Sequence, residues 1–102
     1  MEIIYQGTYY SVPISSPIVL VGARLYNKAN DTCVEMLMRA SGEKDENGYD
    51  LYEAALTAAQ TKDMPLGVYA LELYSGSVDS PVIEATKLRY AQVCKSSFGI
   101  GE

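Results

Sequence analysis

Apolar and polar positions alternate along this chain in short runs, and turn residues separate the runs. Such a period of two marks half-buried strands, and no stretch keeps the 3.6-residue period of a long amphipathic helix. Residues 3–12 are rich in β-formers, with a break at Gly7 and with Pro13, Ser15, Ser16 and Pro17 closing the run. Residues 18–27 place Val19, Val21, Ala23 and Leu25 on one face and Arg24 and Tyr26 on the other. Lys28, Ala29, Asn30 and Asp31 then read as a turn. In residues 33–40, Val34, Met36, Met38 and Ala40 share a face, opposite Cys33, Glu35, Leu37 and Arg39. Propensity alone would also allow a helix here, but the alternation and short length favour a strand.

The polar stretch 41–50 carries Asn47-Gly48, a strong hairpin signal. A strand over residues 49–56 follows, aligning Tyr52, Ala54 and Leu56, and residues 68–74 alternate again with Tyr69, Leu71 and Leu73 inward. After a polar turn at residues 75–81, the last strand spans residues 82–93. Its alternation changes phase near Thr86-Lys87, which predicts a β-bulge or a change of partner. The expected core is Val19, Val21, Leu25, Met36, Met38, Leu56, Leu71 and Leu73. No repeat or linker divides the chain, so the expectation is one sandwich domain over residues 1–93 and a tail over residues 94–102 containing Phe98 and Ile100.

Between the strands ending at Leu56 and starting at Val68 lies the most specific local signal. Thr57-Ala58-Ala59-Gln60 has the form of a capping box, with a Thr hydroxyl to accept the amide three residues on and a Gln to reach back. Pro65 and Gly67 end the predicted helical turn, placed near residues 57–64. Tyr69 then opens a strand, where its ring can be buried while its hydroxyl returns to backbone upstream. That is the tyrosine corner of immunoglobulin-like sandwiches. The fold class read here is therefore an all-β, immunoglobulin-like sandwich of about seven strands.

Composition narrows function mostly by exclusion. The 102 residues hold 48% hydrophobic and 21% charged side chains, which suits a globular domain and argues against disorder. A net charge of −5 disfavours sequence-independent binding to nucleic acid and to anionic membranes. No apolar run approaches the ~20 residues that span a bilayer, and residues 1–10 lack the pattern of a signal peptide. A cytosolic site of synthesis follows as an expectation. It makes free thiols the expected state of Cys33 and Cys94, and Cys33, in a predicted strand, reads as a buried structural thiol. Nine of the ten aromatic residues are Tyr, a type that packs on strands and also serves recognition surfaces. Tyr9, Tyr10, Tyr26 and Tyr74 are candidates for a contact surface.

The chain contains no His, so Ser-His-Asp and Cys-His chemistry has no base. Two distant cysteines do not make a zinc site. The acidic stretch 43–50 misses calcium-loop spacing, because Tyr49 falls where a ligand is needed. No glycine-rich phosphate loop follows a strand. The expectation is a protein that is not an enzyme and has no catalytic residue, no cofactor and no metal.

The order of these elements and the segment LTAAQTKDMPLGVYALEL resemble immunoglobulin-like domains of bacteriophage virion proteins, in particular the N-terminal domain of baseplate upper proteins and related fibre modules. The positions that carry the likeness are Leu56, Thr57, Pro65, Gly67 and Tyr69, with IVLVGARLYN resembling the second strand of that family. The resemblance implies a structural role in the virion after synthesis in the bacterial cytoplasm. It implies fibre attachment, a baseplate position or capsid decoration, with other virion proteins as partners and a homo-oligomer, a trimer or dimer. Because the chain ends soon after its last strand, a small stand-alone component or adaptor is expected. A glycan- or host-protein-binding recognition module is the alternative.

Overall fold

A computed structural model describes residues 1–77 and 79–95. Among these residues lie eight strands and one short helix: β1 (Glu2–Tyr5), β2 (Tyr10–Ser16), β3 (Gly22–Asn27), β4 (Thr32–Glu35), β5 (Leu37–Lys44), β6 (Asp50–Leu56), α1 (Ala58–Lys62), β7 (Gly67–Gly76) and β8 (Pro81–Cys94). The strands form two sheets. The larger has the order β1-β8-β7-β3-β4, with β1 parallel to β8, and it curls into a half-barrel. The smaller is antiparallel, in the order β2-β6-β5.

The core lies between the sheets, because each strand turns alternate side chains inward. Ile4, Ala23, Leu25, Tyr69, Leu71, Ala91 and Val93 of the larger sheet pack with Ile14, Tyr52, Ala54 and Leu56 of the smaller. Of the expected core, Leu25, Met36, Leu56 and Leu71 are buried, and Met38 and Leu73 are partly buried against it. Val19 and Val21 are not. Val19 is 73% exposed, because β3 begins only at Gly22 and residues 17–21 are the connection between the two sheets. Leu20 enters the core from that connection instead, its amide donating to the Tyr52 hydroxyl at 3.1 Å.

Eight strands stand where about seven were expected: six runs alternate in the sequence, and two of them each supply two strands, one to each sheet. Residues 3–12 bend at Gly7, whose φ of 78° suits glycine, and β1 and β2 part company there. Pro13 lies inside β2 rather than ending a strand. An edge strand tolerates it, since the amide facing solvent has no ladder bond to lose. Residues 33–40 cross between sheets at Met36, whose side chain is buried and whose amide donates to the Ala23 carbonyl at 2.9 Å. Alternation runs through the crossing, so pattern alone could not reveal it. Cys33 is consequently an exposed residue on short edge strand β4, not a buried thiol.

In β8 the phase change takes the form of two register shifts against β7, one opposite Tyr69 and Leu71 and one opposite Leu73 and Tyr74. Cys94 pairs with Tyr5 and so belongs to β8 rather than to a tail. Residues 96–102, with Phe98 and Ile100, lie outside the described residues.

Candidate interaction surface

The segment around α1, itself the connection from β6 to β7, fastens two other chain crossings. Both halves of the capping box form: the Gln60 amide donates to Thr57 Oγ1 at 3.1 Å, and the Thr57 amide donates to Gln60 Oε1 at 2.9 Å. Gln60 also donates through Nε2 to the Glu35 carbonyl at 3.0 Å, which holds the β4–β5 crossing. Thr61, fully buried, donates to the Thr8 carbonyl at 2.7 Å, and Gln6 donates to the Met64 carbonyl at 2.8 Å, which together hold the β1–β2 bend. Beyond the helix, the Tyr69 hydroxyl donates to the Pro65 carbonyl at 2.7 Å. Gly67 has a φ of 137°, and an added Cβ would approach Asn27 Nδ2 to 3.1 Å. The set Thr57, Gln60, Pro65, Gly67 and Tyr69 is thus an internal joint, with its polar atoms occupied by backbone.

The four candidate tyrosines do not share one surface. Tyr9 is exposed beside the β1–β2 bend. Tyr10 is half-buried, with its hydroxyl 2.7 Å from that of Tyr90 and donating to the Glu2 carboxylate at 3.1 Å. Burial first, then the Tyr90 contact, pushes the Tyr10 phenol well above its ordinary range. Tyr26 lies on the outer face of the larger sheet and donates to Asp31 at 3.0 Å. Tyr74 shares that outer face but is only 2% exposed. Its ring lies across Gly22, where a Cβ would collide with it, and under the Arg24 guanidinium at 5.4 Å. Its hydroxyl donates to Glu35 at 2.8 Å, and Arg24 pairs with Glu72 at 2.9 Å. This network closes on itself and leaves Tyr74 no free group. Desolvation raises the pKa of the nearby Cys33 thiol, against the opposing pull of Arg24.

The unsatisfied surface is elsewhere, on β8. Strand β1 pairs with Ala91–Cys94, so among the described residues the backbone of residues 81–90 has no strand partner on the side away from β7. Residues 82–89 are exposed throughout, including Val82, Ile83 and Leu88, the last at 75%. Beside this edge, between β2 and β8, opens a cleft of about 420 Å³ lined by Val12, Ile14, Leu71, Leu73 and Tyr90 together with the charged Glu2, Lys87 and Arg89. β1 is an edge strand too, with Ile3 and Tyr5 exposed. Run length in the sequence does not reveal the β8 edge, because the first and last predicted runs are of similar length and only the split of the first at Gly7 leaves a short β1 against a long β8.

Among the described residues no cluster of three or more His, Cys, Asp or Glu side chains is placed to hold a metal. No helix among them is long and apolar enough to cross a membrane. Comparison with protein-family models, with curated proteins and with solved structures finds no match for this chain.

Proposed function

We propose that this chain is a non-catalytic structural protein of a bacteriophage virion, built on an immunoglobulin-like sandwich and working by contact with other virion proteins. The strand order supports the fold reading. With β1 to β8 lettered A, B, C, C′, D, E, F and G, the sheets are B-E-D and A-G-F-C-C′, an immunoglobulin-like arrangement with the first strand on the G side. Tyr69 opens strand F and bonds backbone four residues upstream, as a tyrosine corner does. One observation carries the contact reading: the long free edge of β8, with Val82, Ile83 and Leu88 in water. Exposed apolar side chains on an unpaired edge are a liability unless something covers them.

Among the described residues β1 pairs with β8 on one side alone, which leaves its other edge, with Ile3 and Tyr5 exposed, available to the dimer or trimer implied by the family resemblance. Mass spectrometry of gradient-purified virions tests the assignment. Peptides of this chain at constant ratio to the capsid protein are expected; their presence in the lysate but absence from particles would overturn it. A recognition module for a host protein is the second reading, favoured by the exposed Ile18 and Val19 in the loop of residues 17–21. Binding to host-cell surface protein without virion association would put it first.

A further inference from the structure

The structure assigns Asn47, at the tip of the β5–β6 hairpin, as a site of spontaneous covalent modification: its side chain deamidates to aspartate and isoaspartate, and Asp45 is the brake on the rate. This goes beyond the contact reading above and does not depend on it. Asparagine is a thermolabile side chain, and the chain holds three. Asn27 is buried, and its side-chain oxygen accepts from the Ala29 and Asn30 amides. Asn30 is exposed but precedes Asp31, and a side chain on the following residue hinders attack by that residue's nitrogen. Only Asn47 precedes a glycine. Both Asn47 and Gly48 are exposed, and a Cβ built on Gly48 would meet nothing within 4 Å, so the approach to the Gly48 nitrogen is open.

The step is an intramolecular acyl transfer. The Gly48 backbone nitrogen gives its proton to hydroxide and attacks Asn47 Cγ. A C–N bond forms there, the bond from Cγ to the side-chain nitrogen breaks, and that nitrogen leaves as ammonia with a proton from water. Water then opens the cyclic imide, at Cγ to give aspartate or at the main-chain carbonyl to give isoaspartate. The turn opposes the attack. The Gly48 amide donates to the Asp45 carbonyl at 3.0 Å, which makes its proton harder to lose. Asp45 Oδ1 accepts from the amides of Asn47 and Tyr49, both at 2.9 Å, and the Asp45 amide donates to the Tyr49 carbonyl at 2.9 Å. These bonds fix the backbone on both sides of the Asn47–Gly48 peptide, which must swing towards the Asn47 side chain for the ring to close. Reaction therefore proceeds from the opened loop, at a rate set by how often it opens. Either product adds a carboxylate beside Asp45, Glu46 and the Lys44–Asp50 pair, and isoaspartate also routes the main chain through Cβ, lengthening the β5–β6 connection.

Peptide mapping by mass spectrometry tests this on the intact chain, held in mildly alkaline buffer and sampled over days. Aspartate and isoaspartate should accumulate at position 47 ahead of positions 27 and 30, and faster as pH rises. Asp45→Ala, which removes the acceptor for two loop amides, should speed the reaction roughly fivefold, and unfolding the parent in urea should speed it at least as much. No product at position 47 in the folded chain, product at Asn30 first, or an Asp45→Ala rate equal to the parent's would each overturn the inference. So would equal rates for the folded and the unfolded parent, because the turn would then restrain nothing. That last comparison uses the parent alone and decides the matter even if Asp45→Ala fails to fold. Virion membership does not enter the assay, so its failure is separable from failure of the virion reading.

Discussion

The two ends of β8 live under opposite conditions. From Ala91 to Val93 the strand lies between β7 and β1, and it sends Ala91 and Val93, with Tyr90 just before them, into the core. From Val82 to Arg89 it has one neighbour among the described residues, and every residue is exposed. The difference teaches that strand propensity and stability are separable here. Ile83 and Leu88 are as β-prone and apolar as Val93, yet only the second half of the strand has a facing sheet to bury against. The corner makes the fold; the arm is left with backbone and side chains to offer.

The largest test of this contrast pairs Tyr69 with Leu88. Tyr69→Ala removes a fully buried ring and should cost about 3–5 kcal/mol in urea unfolding, whereas Leu88→Ala should fall within about 0.5 kcal/mol of the parent. Comparable losses would break the contrast. A second test uses pH. Burial is the leading cause that raises the phenols of Tyr10, Tyr69, Tyr74 and Tyr90 above their ordinary value. A raised acid keeps its proton in the folded state after the unfolded chain has lost it. Stability from these groups is therefore complete below about pH 10 and falls as pH rises further, each contributing up to about 1.4 kcal/mol per pH unit. Denaturant midpoints flat to pH 9 and declining steeply above 10 are expected; no decline would show that the phenols ionise freely in the folded chain.

Smaller effects sharpen the picture. Gly22→Ala drives a methyl into the Tyr74 ring and should cost about 1–3 kcal/mol, much less in a Tyr74→Ala background, measured as a double-mutant cycle. Thr57→Ala breaks one half of the capping box and should cost about 1 kcal/mol. On the arm the sign reverses. Arg89 has a φ of 52°, unfavourable for a side chain without local hydrogen bonding, so Arg89→Gly should gain up to about 1 kcal/mol and raise Tm.

The sequence by itself determined the local pieces. The capping-box bonds between Thr57 and Gln60 and the bond from Tyr69 to Pro65 join residues at most four apart, and contacts that short are written in spacing, whereas the reach of Gln60 to Glu35 and of Gly67 to Asn27 is not. Period-two alternation likewise announced strands and, at Thr86-Lys87, the irregularity of the last one. Sheet membership was decided only in three dimensions. Alternation states which residues share a face but not which sheet the face belongs to, so the break at Gly7 is legible without its change of sheet, the crossing at Met36 is unmarked, and Val19 is read into a core it never reaches. The free edge of β8 is of the same kind. It exists because a four-residue β1 covers only part of a fourteen-residue partner, a relation between segments some 80 residues apart that no local pattern encodes.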